Sequence, residues 1–343
     1  MNIKSLFKSK EVPSEDIPEL IDTVLRGALG REPNSVEKRD YHALVPAGAS
    51  VKSCVEILLA HLNPYPTPRF VPPGHHYSPI GRTDEIKAHL TEIDFYSDLV
   101  SIPGIRIDRQ EMLDFWGILQ QYLEEIPFKR DPSPPMRYGF DNGAYSWGDG
   151  SVLYAMIRYA RPKKIIEIGS GWSSVCTLDT LDTQPDYPCE MTVIEPFPEL
   201  MKGLIGNGRA PNHIMADAVQ RVPLNVYEGL EKNDILFIDS THVVKTGSDV
   251  CHEIFNILPK LRSGVIVHFH DVFWPFEYSH KWAVEENRSW SEIYLLRAFL
   301  MNNPEWKVLI FNDYLAITAK DEIEASYPDF MHNPGGAIWL KKL

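Results

Sequence analysis

The feature that most constrains this chain is a series of short apolar runs, each separated from the next by a stretch long enough for a helix. Lys164 to Ile168, Met191 to Glu195, His213 to Ala216, Ile235 to Asp239, Val265 to His270 and Val308 to Asn312 read as strands. Such runs alternating with helical segments predict an α/β fold in which a parallel sheet is covered on both faces. Ligands of that architecture bind beyond the carboxyl ends of the strands. A helix beginning near Asp149 and carrying Val152, Met156, Ile157 and Tyr159 precedes the first strand. The Asp149 side chain is expected to cap its first turn.

The strand ends carry the chemistry. The first runs into Glu167-Ile168-Gly169-Ser170-Gly171-Trp172-Ser173-Ser174. Glycine lets a backbone approach a ligand where a Cβ would collide, and the free amides of such a turn meet a carboxylate or phosphate. A dinucleotide fingerprint would place a third glycine where Ser174 stands, which weighs against NAD or FAD. Glu195 closes the second strand, where a carboxylate accepts both hydroxyls of a ribose. Asp217 follows the third and Asp239 ends the fourth, so four successive strand ends each carry an acid.

Here the sequence resembles the class I S-adenosylmethionine-dependent methyltransferases, with a Rossmann-like, mostly parallel seven-stranded sheet. The resemblance runs from about Tyr138 to Leu343. It is carried by Arg161-Pro-Lys-Lys-Ile-Ile-Glu-Ile-Gly-Ser-Gly171, Ile238-Asp-Ser-Thr-His242, Leu258-Pro-Lys-Leu-Arg-Ser-Gly264 and Val267-His-Phe-His-Asp-Val272, and continues in Trp290 to Phe299 and Gly335-Gly-Ala-Ile-Trp339. It implies that Gly169 and Gly171 line the methionine part of S-adenosylmethionine, that Glu195 holds the ribose and that Asp217 lies near the adenine. Glu167, Ser170, Ser173 and Asp239 complete the expected cofactor set.

The fourth and fifth strand ends resemble catechol O-methyltransferase and its divalent-cation-dependent relatives. Asp239, His270 and Asp271 occupy the positions of that family's metal ligands, with an imidazole in place of one carboxylate. Nitrogen favours manganese, iron, zinc or nickel over magnesium. His242 stands three residues after Asp239, where the family keeps a basic lysine, and is expected to act as general base with a pKa near neutrality. His268 and His252 read as structural. The aromatic run Phe273 to Tyr278, with Trp282 and Trp290, is either a lid over the sheet or a wall on which a sugar or aromatic ring stacks. The expected reaction is methyl transfer to an oxygen of a small molecule or saccharide. Two other readings stand beside it: a metal-dependent oxygenase like the cephalosporin hydroxylases, using Asp239, His268 and His270, and a catalytically silent fold that binds partners.

Ahead of the catalytic domain (residues 137–343) the reading gives a small helical domain (1–63), a proline-rich linker (64–82) and a helical extension (83–136). In the first, Ile17, Leu20, Ile21, Val24 and Leu25 recur at helical spacing, as do Val51, Val55, Leu58 and Leu59. Ser14 marks the start of its first helix, and Gly27 and Gly30 its end. The stretch Ile21 to Pro33 resembles a short bacterial helical domain of unknown function, which makes this unit a candidate for a protein partner or self-association. Six prolines between Asn63 and Arg82 favour extended chain. A formal charge of −13 disfavours nucleic acid and anionic membranes. Four cysteines without a CxxC pair, and no apolar run of spanning or signal-peptide length, predict free thiols in a cytoplasmic protein with no membrane span.

Overall fold

The computed structural model describes residues 17–29, 32–33, 35–45, 53–55, 57–58, 70–71, 73–93 and 101–343. The chain divides into two units, residues 1–72 and 73–343. In the first unit lie α1 (Ile17–Leu29) and α2 (Ser35–Leu44). Ile21 and Leu25, one turn apart on α1, pack with Cys54 and Leu58. Asp22 accepts from Lys38 Nζ at 2.8 Å and pairs with His42 at 3.0 Å, tying α1 to α2. α1 runs through Gly27 to Leu29 rather than ending at the glycine. Ser14, Gly30, Val51 and Leu59 lie outside the described residues.

The second unit opens on a closed turn, with the Gly74 amide donating to the Ile80 carbonyl at 3.0 Å. The later part of the proline-rich stretch is therefore folded, not an extended spacer. α3 (Thr83–Glu92) and α4 (Arg109–Leu123) follow. Asp108 caps α4 by accepting from the Glu111 amide at 3.0 Å. Met112, Trp116, Leu119 and Leu123 form the single apolar stripe that α4 buries. It packs against α5 (Trp147–Ala160), a helix buried on almost every side. Asp149 does not cap α5: Ser146 holds the cap position, and the Asp149 carboxylate is buried in the interior.

The sheet region then runs β1 (Lys164–Ile168), α6 (Trp172–Asp182), β2 (Glu190–Ile194), α7 (Glu199–Ile205), β3 (His213–Met215), α8 (Asn225–Glu228), β4 (Ile235–Ile238), α9 (Asp249–His252) and β5 (Ile266–His270). It closes with α10 (Glu292–Leu300), β6 (Trp306–Phe311), α11 (Asn312–Thr318), α12 (Lys320–Ser326) and β7 (Ala337–Lys342). The six strands read from the sequence are present, with ends shifted by a residue or two. β7 is the seventh, and it was not among the apolar runs read as strands. Strand order is β3-β2-β1-β4-β5-β7-β6, with β7 antiparallel to both neighbours. β4 and β5 are buried at every position, as central parallel strands covered by helices must be.

The chain passes from β1 outward through β2 and β3, then returns to place β4 on the other side of β1. That reversal opens a crevice above the carboxyl ends of β1 and β4. One buried charge helps to fix the layer beside it. Asp179 of α6 accepts from Arg137 Nε at 2.7 Å and from the amides of Arg137 and Tyr138 at 2.6 and 2.7 Å. Its charge is thus paired and hydrogen-bonded, as burial demands. Among the described residues no helix is long and apolar enough to cross a membrane.

Candidate active site

The turn after β1 is set by the neighbouring strand. Gly169 has φ +88°, and a Cβ there would lie 2.0 Å from the Asp239 carbonyl oxygen. The glycine expected to make room for a ligand therefore makes room first for the end of β4. Gly171 is different, since a Cβ on it would meet only Leu200, at 3.7 Å.

Two cavities flank this turn, and Asp239 borders both. One, of about 360 Å³, is lined by Gly169, Glu195, Phe197, Ala218 and Gln220. The other, of about 250 Å³, is lined by Tyr145, Ser170, Gly171, Ser173, His270 and Asp271. Glu195 accepts from the Phe197 amide at 2.8 Å. Asp217 turns aside, accepting from Arg221 Nη1 and the Ala218 amide, each at 2.8 Å.

Glu167 lines neither cavity. It is buried beneath the turn, where Oε1 accepts the Ser173 hydroxyl at 2.6 Å and Oε2 has no hydrogen-bond partner. Burial, helped by repulsion from Asp239 and Glu195, pushes its carboxyl up to about 8 against the opposing Ser173 bond. A carboxyl raised in the folded state binds more protons there than in the unfolded chain between its ordinary value and about 8, so stability falls as pH rises through that window. The slope reaches about 1.4 kcal/mol per pH unit for one proton. Glu167→Gln should remove this slope: urea midpoints from pH 5 to 9 would decline less steeply than in wild type. Parallel declines would mean that Glu167 is ionised in the fold.

At the ends of β4 and β5, Asp239, His270 and Asp271 converge, with one ligating atom from each lying within 4.8 Å of the other two. His270 Nδ1 is 3.4 Å from Asp239 and 3.6 Å from Asp271, and this buried nitrogen has no hydrogen-bond partner. Its other nitrogen, Nε2, faces the Asp149 carboxylate at 3.4 Å. Asp149 is held in turn by Asn312 Nδ2 at 3.1 Å, and a Cβ on Gly335 would intrude on it. A carboxylate behind an imidazole fixes the ring so that its opposite nitrogen points into the site. His268 lies deeper, stacked on Phe237 with ring centroids 4.0 Å apart and fully buried. It is not part of the converging group.

His242 joins from the loop after β4. Nδ1 meets Glu292 at 2.8 Å, while Nε2 lies 3.4 Å from Asp239 and 3.5 Å from Asp271. Burial alone would depress this imidazole, yet hydrogen bonds to Asp239 and Glu292 push it up to about 10. The expectation of a near-neutral base is revised accordingly: in this arrangement His242 holds its proton at neutral pH. The amides of Ser291 and Glu292 both donate to the His242 carbonyl, at 2.8 and 3.0 Å. His242 and Asp271 also take left-handed backbone angles, φ +60° and +58°. Strain of this kind concentrates at functional sites.

Residues 166–272 match the family model described as a methyltransferase domain. An uncharacterised protein of Archaeoglobus fulgidus is 30% identical over 171 residues, 49% of this chain and 76% of that protein. Residues 166–272 thus carry a methyltransferase domain. Two solved structures similar to this chain are the O-methyltransferase TomG of Streptomyces achromogenes, involved in tomaymycin synthesis and bound to SAM, and an O-methyltransferase of Bacillus cereus bound to SAH. The first is 15% identical, covers 69% of this chain and 91% of TomG, and has a TM-score of 0.38. The second is 12% identical, covers 69% and 92%, and has a TM-score of 0.35.

Three polar residues that support this cluster escaped the sequence reading: Asp149, Glu292 and Asn312. Glu292 stood inside the quoted run from Trp290 to Phe299, without a role. Asp149 carried a signal that was read as a cap. Nothing in its local pattern distinguishes a capping carboxylate from one that holds a histidine 121 residues away.

Proposed function

We propose that the chain binds S-adenosylmethionine across the carboxyl ends of β1, β2 and β4 and transfers its methyl group to an oxygen of a small molecule or saccharide. The observation that carries this reading is the pair of cavities meeting at Asp239. Glu195 in the larger one would take the ribose hydroxyls, and Ser170, Gly171 and Ser173 in the smaller one the methionine end. The acceptor oxygen would then lie beside Asp239, His270 and Asp271.

The donor set fits a divalent cation, because a partnerless buried imidazole nitrogen faces two carboxylates. Asp239, His270 and Asp271 would hold it, and when bound it would lower the pKa of an acceptor hydroxyl and offset the carboxylate charge. Asp149 keeps the His270 ring in place. The His242 and Glu292 pair stands ready to take a proton once the field of Asp239 and Asp271 is relieved. The sulfonium is already an activated leaving group, so the remaining task is to hold the reactants in line. The oxygenase reading loses support because His268 is packed in the core. All four cysteines are free, which fits a reducing cytoplasm.

Calorimetry with S-adenosylhomocysteine tests the cofactor assignment. Glu195→Ala removes one acceptor of strong hydrogen bonds and should weaken binding by about 10- to 100-fold. Unchanged affinity in a folded variant would move the ribose elsewhere.

A further inference from the structure

Arg288 is presented at the join of two cavities. It lines the cavity of about 250 Å³ that holds His270 and Asp271. It also lines a separate one of about 410 Å³, bounded by Ile86, Leu90, Tyr278 and Tyr294. Its guanidinium carbon lies 4.0 Å over the Trp282 ring and 4.5 Å from that of Trp290. Two indoles so placed hold a cation in one orientation. The Arg288 amide donates to the Trp282 carbonyl at 3.0 Å, and Asn287 and Ser289 on either side adopt left-handed angles of φ +48° and +53°.

Arg288 Nε donates to Glu286 at 2.6 Å. Among the described residues, Nη1 and Nη2 have no hydrogen-bond partner. The end of the fork they form suits the two oxygens of a carboxylate. A dianionic phosphate would be repelled by Asp239, Asp271 and Glu286 nearby. Glu277, on the wall of the larger cavity, is already engaged by the Tyr294 hydroxyl at 2.8 Å.

We propose that Arg288 selects a hydroxy acid as methyl acceptor: its carboxylate rests on Nη1 and Nη2, its apolar body fills the larger cavity, and its hydroxyl reaches Asp239, His270 and Asp271. This rests on the reading of those three residues as the reaction end. It also gives α3 and residues 79–81 a role as one wall of the acceptor site.

Hydroxybenzoate, hydroxyphenylacetate and hydroxycinnamate, each beside its methyl ester, are titrated by calorimetry into the full-length protein without cofactor. At least one acid should bind about 10- to 100-fold more tightly than its ester, the worth of a charge-assisted hydrogen bond. Arg288→Gln should bring that acid to the affinity of its ester, and Arg288→Lys should retain part of the preference. Equal binding of every acid and ester, no binding of any acid, or equal weakening of both by Arg288→Gln overturns the proposal. The wild-type ratio needs no variant to fold. S-adenosylhomocysteine titrated alone separates the two readings: its failure to bind beside an intact acid preference sinks the methyl-transfer reading and leaves Arg288 a carboxylate site.

Discussion

Turnover of His270→Gln is expected to fall by about three decades, while affinity for S-adenosylhomocysteine stays within about twofold of wild type. Glutamine fills much of the imidazole's volume, so the buried position stays occupied. What it removes is the ring nitrogen 3.4 Å from Asp239 and 3.6 Å from Asp271, together with the ring that Asp149 orients. Metal-assisted polarisation of an oxygen is worth several kcal/mol, and each decade of rate about 1.4 kcal/mol. Treatment with a strong chelator should reproduce the loss, again without loss of cofactor binding. Asp149→Asn is the milder version, since a partner behind a ligating histidine contributes about 10- to 100-fold in metal affinity. Full turnover of the chelator-treated enzyme would remove the cation from the mechanism.

Gly169→Val is expected to cost more than about 4 kcal/mol of folding stability, a value reached only when a substitution meets something that cannot move. The added Cβ would lie 2.0 Å from the Asp239 carbonyl oxygen. Neither side can retreat, because the Gly169 amide donates to the Ile194 carbonyl at 3.0 Å and the Asp239 amide to the Ile168 carbonyl at 2.9 Å. A β-branched residue at φ +88° adds backbone strain. Such a loss takes much of the margin of about 5–15 kcal/mol typical of a domain. Urea unfolding gives the measure. A variant with the wild-type midpoint but no affinity for S-adenosylhomocysteine would return the glycine to the role of clearing space for ligand alone.

The parallel core was legible because β4 and β5 are buried on both faces, so that β4 reads as an unbroken apolar run and β5 as one interrupted only by His268 and His270. The acids at strand ends were legible as positions but not as directions. Glu195 and Asp239 border a cavity, Glu167 turns under the turn, and Asp217 turns to Arg221. All four look alike in sequence because which way a side chain leaves a strand end depends on neighbours contributed from elsewhere. The same holds for His242. Its residue type predicts a neutral base, while its setting among Asp239, Asp271 and Glu292, the last 50 residues away, makes it a held proton. β7 was passed over although Asn333-Pro-Gly-Gly336 marks a turn directly ahead of it.

β7 lies between β5 and β6, so the strand latest in sequence fills a slot whose two sides are made earlier. During synthesis at about 5–20 residues per second, β5 waits on the order of several seconds for its partner on that side. Through that interval a strand that the finished sheet buries completely carries an open row of amides and carbonyls, the kind of edge that pairs with another chain. The arrival of residues 335–342 ends the exposure and, through Gly335 against Asp149, sets the support of His270 in the same step. Closing the sheet and setting the support of His270 are therefore one event in time, so a delay before residue 337 would lower the yield of soluble protein and the order of the proposed site together.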